Sequence, residues 1–320
     1  MGALARRRHL RHAVGALLAA AFLLSAAVPG ARAQEETGHH GPTTMRACAC
    51  APVHVHYACI VSEKSGWSVA ENEREFSYVP GAANGPDRWG EIKPSWANCS
   101  RGRMQSPIDL SHDRATLVRS LGFLDYYYRP AEATIVNRGH DITVRFSGDA
   151  GRLVINGTAY RLRQLHWHTP SEHTVDGRRY DMELHLVHES AENKAAVIGI
   201  LYEIGAAPDP FLKKLEPAIK RVRDTRDREE PIGLVDPSGA RATGSVYYRY
   251  MGSLTTPPCT EGVVWTVSHK VHPVDEYQVK LLRDAVDDGN RENARPLQAV
   301  NNRDISIFRP KPYARGKQYY

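Results

Sequence analysis

The chain has 320 residues, 42 Lys plus Arg against 36 Asp plus Glu, a formal net charge of +6 and 42% hydrophobic residues. This composition excludes a collagen-like, low-complexity or wholly disordered chain and is sufficient for a sizeable core. Arginines 6, 7, 8, 11 and 32 fall within the first 33 residues, which carry no acid; the rest has 37 basic against 36 acidic side chains, so a charge of about +1 argues against a nucleic-acid or membrane-surface partner.

At the N-terminus, Arg6, Arg7, Arg8 and Arg11 precede an apolar run from Ala13 to Val28 that closes on Pro29 and Ala31-Arg32-Ala33. This is the pattern of a signal peptide over residues 1–33. The run is short for a membrane span of about 20 residues, so no membrane anchor is expected. The pattern predicts entry into the secretory pathway, with secretion or delivery to a plastid or other lumen as destinations. Residues 34–72 read as an irregular leader. Cys48, Cys50 and Cys59 lie there among His54 and His56 without helical or alternating periodicity, and their spacing matches no standard zinc module. The abrupt change of character also fits a gene-model insert over residues 38–70, which a continuous transcript through Cys48 to Cys59 would exclude.

Residues 73–309 form the domain. Short β-branched and aromatic stretches separated by turn signals predict strands over Ala133–Phe146, Arg152–His168, Tyr180–His188, Ala195–Ile204 and Gly262–Val267. Helical periodicity is confined mainly to Phe211–Val222 and Glu276–Asp287. The expected fold class is therefore mainly β with short peripheral helices, followed by an irregular tail over residues 310–320.

Within the second stretch, His166 and His168 stand two apart, so a strand projects both imidazoles from one face. The third stretch puts His185 and Val187 on one face and Leu184, Leu186 and His188 on the other. Three neutral imidazoles suit a catalytic Zn2+ that keeps a fourth position for water. Gln164 and Glu183 each precede a proposed ligand by two residues, where they can act as acceptors that fix imidazole tautomers. His173 and His188 are read as structural.

Gln164-Leu165-His166-Trp167-His168, Ser171-Glu172-His173-Thr174-Val175-Asp176-Gly177, Glu183-Leu184-His185-Leu186-Val187-His188 and Ser253-Leu254-Thr255-Thr256-Pro257-Pro258-Cys259 occur in that order. With Gln105-Ser106-Pro107-Ile108, Asn137-Arg138-Gly139-His140 and Asn301-Asn302-Arg303, they strongly resemble the α-class carbonic anhydrases, plant secreted members most of all. The resemblance implies a single domain around a central, mostly antiparallel twisted sheet of about ten strands, and zinc-dependent reversible hydration of carbon dioxide to bicarbonate and a proton by a zinc-bound hydroxide.

Carried over by position, the resemblance implies that His166, His168 and His185 hold zinc, that a Thr255 hydroxyl donates to Glu172, and that His140 shuttles protons. Val187, Val197, Leu254, Thr255, Thr256, Val263 and Trp265 would bind the substrate, and Cys99 and Cys259 would form a disulfide. Tyr78 keeps a position that helps order cleft water, whereas Arg138 and Thr143 replace the asparagines found in many relatives. Asn156-Gly157-Thr158 and Asn98-Cys99-Ser100 are glycosylation sequons in a eukaryotic secretory pathway. The expected partner is the small-molecule substrate, on a monomer or homodimer. The rival reading is a catalytically silent storage or binding protein on the same scaffold.

Overall fold

Alternation of side chains along long strands divides this domain into two cores. The computed structural model describes residues 75–242, 245–286 and 292–311; the expected signal peptide, the expected leader and nearly all of the expected C-terminal tail lie outside the described residues. In chain order the strands are β1 (Asp109–Leu110), β2 (Ala115–Leu117), β3 (Asp125–Tyr128), β4 (Ala131–Asn137), β5 (Ile142–Phe146), β6 (Gly151–Ile155), β7 (Thr158–His168), β8 (Thr174–Val175), β9 (Arg178–Arg179), β10 (Met182–Ser190), β11 (Ala195–Ile204), β12 (Glu229–Val235), β13 (Tyr247–Ser253), β14 (Glu261–Val274) and β15 (Ile305–Phe308).

Ten strands run side by side in the order β12-β4-β5-β7-β10-β11-β14-β13-β15-β2, and β6 and β3 extend from β7 to make a sheet of 12. Most pairs are antiparallel; β11 with β14 and β15 with β2 are parallel. The family expectation of about ten mostly antiparallel strands thus describes the main path. β1, β8 and β9 form a separate sheet of 3 strands.

Two of the predicted strands are hairpins. Ala133–Phe146 breaks into β4 and β5 at Asn137-Arg138-Gly139-His140, where Gly139 has φ +90° and a Cβ would lie 1.8 Å from Arg226 Nε. Only glycine fits both the conformation and the contact. Arg152–His168 breaks into β6 and β7 at Asn156-Gly157, whose φ angles of 49° and 78° match the two-residue turn that suits right-twisted strands.

Leu165, Trp167, Leu184, Leu186, Ile198 and Ile200 point to one side of the sheet, where helices α3 (Pro210–Val222) and α4 (Glu276–Ala285) cover them with Phe211, Leu212, Leu215, Val279 and Leu282. Each helix starts on an aspartate cap, Asp209 accepting from Leu212 N and Asp275 from Gln278 N. α1 (Trp89–Ile92) and α2 (Asn98–Arg101) are single turns near the N-terminus of the domain. The intervening residues of the same strands, among them Val197, Val263, Trp265 and Val267, build the opposite core. His166, His168 and His185 lie on this second side.

His188 belongs to the helix-covered side. Its Nδ1 donates to the Ala196 carbonyl at 3.2 Å and its Nε2 accepts from the Tyr128 hydroxyl at 2.8 Å. Both ring nitrogens of the neutral form are satisfied, and burial pushes the His188 pKa down to about 4. The unfolded chain therefore takes up a proton near pH 6.5 that the folded chain refuses until about pH 4. Stability from this residue is full above pH 6.5 and is lost on acidification, by on the order of 3 kcal/mol. Urea midpoints measured from pH 7 to pH 4 should fall less steeply for His188→Gln than for the wild type; equal slopes would exclude the linkage.

Candidate metal centre

His166 and His185 are direct cross-strand partners on β7 and β10, and His168 lies opposite Glu183 on the same pair. This register makes two adjacent strands deliver three imidazoles to one point. Their nitrogens come within 4.8 Å of one another, and all three residues are buried. Each ring is held through one nitrogen. His166 Nδ1 donates to Gln164 Oε1 at 2.8 Å, His168 Nδ1 to the Asn293 carbonyl at 2.7 Å and His185 Nε2 to Glu183 Oε1 at 2.9 Å. These bonds leave Nε2 of His166, Nε2 of His168 and Nδ1 of His185 with lone pairs for a metal.

The chemistry of the donor set fits a zinc-type ion. His168 Nε2 is fully buried and has no hydrogen-bond partner, which is costly for a polar atom unless something else meets it. Burial lowers the pKa of His166 and of His185, keeping both rings neutral, the form that binds metal. A second grouping of His173, Glu183 and His185 is also close enough for a metal. Its atoms are already engaged, with Glu183 Oε1 taking His173 Nδ1 at 2.7 Å and His173 Nε2 bonded to the Tyr250 hydroxyl at 2.7 Å. It is the support of the first site.

Glu183 anchors that support. Its Oε2 accepts from the backbone N–H of Glu172 and of His173 at 2.9 and 2.8 Å, so one carboxylate receives four hydrogen bonds. Burial raises its pKa, and the neighbouring His173 and His185 outweigh it, leaving the group well below the carboxylate range.

Glu172 Oε1 accepts from Arg295 N at 2.9 Å, while Oε2 lies 3.6 Å from His168 Nε2 and 4.0 Å from His185 Nδ1. Glu172 Oε2 accepts no hydrogen bond, so the Thr255-to-Glu172 bond expected from the resemblance is not made here. The carboxylate faces the edges of the imidazoles instead. Thr255 is buried in the turn between β13 and β14, beside half-buried Leu254 and Thr256. Val187 pairs with Val197, and Val197 with Trp265, forming an apolar row across β10, β11 and β14. The Trp265 ring stands 4.8 Å from that of His185, and Val263 is buried two residues before it.

The profile of eukaryotic-type carbonic anhydrases matches residues 84–309. The chain belongs to that family. Alpha carbonic anhydrase 7 of Arabidopsis thaliana is 48% identical over 251 residues, which cover 78% of this chain and 91% of that protein. The solved structure of dioscorin complexed with ascorbate is similar with a TM-score of 0.72 and 47% identity, covering 74% of this chain and 100% of the other. The α-carbonic anhydrase of Thermovibrio ammonificans, solved with sulfanilamide, has a TM-score of 0.66 and 34% identity over 72% of this chain and 98% of its own.

The other expected positions fall in four places. His140 lies just before β5 and is only 3% exposed, its ring 4.5 Å from that of Phe76 and 5.6 Å from that of Tyr78. The resemblance gives this residue a proton-relay role; here it sits under aromatic cover. Arg138 and Asp141 form a buried ion pair joined by Thr143, which donates to Asp141 Oδ1 at 2.7 Å. Cys99 and Cys259 form a disulfide across 160 residues. Asn156 and Asn98 are both exposed, the first at the tip of the β6–β7 hairpin.

Asn293, Arg295 and Gly199 escaped the sequence reading. Asn293 accepts from His168 through its backbone and donates through Nδ2 to the carbonyls of His140 and Trp167 at 2.8 and 3.0 Å. Arg295 is buried and donates to Gln105, Ser106 and the Cys99 carbonyl at 2.8 to 2.9 Å. A carbonyl acceptor has no side-chain signature, so nothing local could have revealed Asn293. Gly199 did carry a signal, an isolated glycine inside an apolar strand, which marks a close approach. It faces His185 across β10 and β11, and a Cβ there would meet Glu183 Oε1 at 2.8 Å. Gly199→Ala should displace that carboxylate and weaken zinc affinity by about 10- to 100-fold. Competition against a chromophoric chelator measures this, and unchanged affinity would refute the positioning role.

Proposed function

We propose that this chain catalyses the reversible, zinc-dependent hydration of carbon dioxide to bicarbonate and a proton. The observation that carries the proposal is the buried triad of His166, His168 and His185, each ring locked by an acceptor on the nitrogen that faces away from the shared point. Zinc, when bound, supplies a positive charge that brings the pKa of water down to about 7, a general property of carbonic anhydrase zinc rather than a quantity deduced from this chain.

The protein's own groups do the rest. Because all three ligands are neutral, none of the metal's charge is cancelled by the inner set. The apolar row Val187, Val197 and Trp265, extended by Leu254 and Val263 and bordered by Thr256, offers a small uncharged substrate a surface from which water gains little. Glu172 Oε2, a buried acceptor lacking a donor, is available to the Thr255 hydroxyl. Donation from Thr255 would leave that hydroxyl a lone pair to accept from the attacking water and so orient it. His140 would carry the released proton outward, and its ring must leave Phe76 to reach solvent.

The disulfide fits an oxidising compartment, and no described helix is long and apolar enough to cross a membrane, in keeping with a secreted or lumenal enzyme. Stopped-flow hydration of carbon dioxide should show a rate that a zinc chelator abolishes and zinc restores. Thr255→Ala should lower it by about 100-fold through misplacement of the nucleophile. A protein that retains zinc yet gives no such rate would favour the binding or storage reading; the similar dioscorin structure holds a small molecule, ascorbate. His140→Ala should slow turnover in dilute buffer and be rescued by imidazole; an unchanged rate would remove the relay role.

A further inference from the structure

A second pair of histidines meets on another part of the domain. His112, in the turn after β1, and His269, on β14, bring their Nε2 atoms to 3.2 Å, with ring centroids 5.2 Å apart and planes at 80°. His112 is fixed from behind. Its backbone N–H donates to Asp176 Oδ1 at 2.8 Å, and its Nδ1 bonds to Asp176 Oδ2. Asp176 sits in the β8–β9 turn, where the next residue, Gly177, donates its N–H to Asp109 Oδ1 at 2.8 Å. The main chain of His269 is held in turn by the Val246 carbonyl at 3.1 Å.

We propose that His112 and His269 form a second site for a divalent transition-metal ion of the zinc and copper class, with both Nε2 atoms as ligands, Asp176 as the carboxylate behind His112, and water in the remaining positions. Three observations point to it. Two metal–nitrogen bonds of about 2.0–2.1 Å at a tetrahedral angle place their nitrogens about 3.3–3.4 Å apart, close to the separation already present, so an ion could replace the proton between the rings once they tilt toward it and His269 carries its proton on Nδ1. The carboxylate takes the Nδ1 proton of His112 and leaves the lone pair on Nε2, as Glu183 holds His185 with the two ring nitrogens exchanged. The side chains of His112 and Asp176 are 35% and 50% exposed, which gives an ion a path from solvent.

Neighbouring groups are compatible with a two-imidazole ligand set. Burial lowers the His269 pKa, with His112 and Arg309 adding to the effect, so its ring is neutral at neutral pH. The Tyr248 hydroxyl lies 3.0 Å from His112 Nε2, and burial raises its pKa, so it is a neutral phenol that donates to this lone pair and turns aside when an ion takes its place. Imidazole suits zinc and copper, and affinity should be greater for copper by the usual order of divalent ions. An ion here would clamp the β1–β2 turn and the β8–β9 hairpin to β14. The site is independent of the carbon dioxide reading.

Full-length protein carrying zinc in the His166–His168–His185 triad would be titrated with Zn2+ and the bound metal counted after equilibrium dialysis. Wild type should bind one more ion per chain than either His112→Ala or His269→Ala, a difference that cancels any uptake by histidines and cysteines elsewhere. Asp176→Asn, which keeps both ligands, should weaken that last ion by about tenfold or more. In histidine-edited NMR of the wild type, substoichiometric Cu2+ should broaden the His112 and His269 ring signals. Equal stoichiometry in all proteins, or ring signals that copper leaves sharp, would overturn the site.

Discussion

The buried carboxylate of Glu183 is the interaction on which this site depends. Burying an ionised carboxylate costs several kcal/mol unless its lone pairs are met, and here four donors meet them. Those donors come from three places in the chain: His185 on the same strand, the backbone at Glu172 and His173, and the His173 ring. Satisfying one charge therefore fixes a metal-facing imidazole, the loop that carries the second carboxylate, and the register between them. Each of these bonds is charge-assisted and shielded from water, which offsets the cost of burial.

The same logic extends outward through the C-terminal segment. Asn293 and Arg295 lie in irregular chain, yet their backbones complete His168 and Glu172 and the Arg295 side chain ties the Gln105–Ser106 segment to Cys99. The disulfide binds Cys99 to the end of the turn that holds Thr255. Local strand geometry aims the histidines, and distant loop segments prevent them from turning. Together they leave Nε2 of His168 and Oε2 of Glu172 as buried polar atoms without protein partners, side by side at 3.6 Å from His168 Nε2 to Glu172 Oε2. Among the buried polar atoms that lack a hydrogen bond, these two lie beside each other at the point where three imidazoles converge, the physical mark of a site built for something other than protein.

Much of this is legible in the chain. Period-two alternation places His166, His168 and His185 on one face, and leucines 165, 184 and 186 on the other, with His188 among them; the observed cores follow that division. The bounds of β11, Ala195–Ile204, coincide with the sequence expectation, because its apolar run is interrupted only by Gly199 and by Glu203 near its end. The hairpins within 133–146 and 152–168 are not separated by pattern alone, although Asn-Gly and Asn-Arg-Gly lie in plain view, because β-branched residues on both sides blur the boundaries. Short strands such as β1, β8 and β9 have two residues each, too few for any periodicity to register.

What the sequence determined by itself was the three candidate imidazoles, the face they share and the family to which the chain belongs, since strand alternation and ordered motifs are local properties of the chain. Tertiary structure alone decided that β7 and β10 pair with His166 opposite His185, that a backbone carbonyl from residue 293 orients His168, and that His140 packs beneath Phe76. It also decided that Glu172 faces the imidazoles without a bond from Thr255, and that His112 meets His269 across 157 residues of chain. These outcomes come from segments far apart in sequence being packed to satisfy buried polar groups. No local pattern encodes which distant donor or acceptor will arrive.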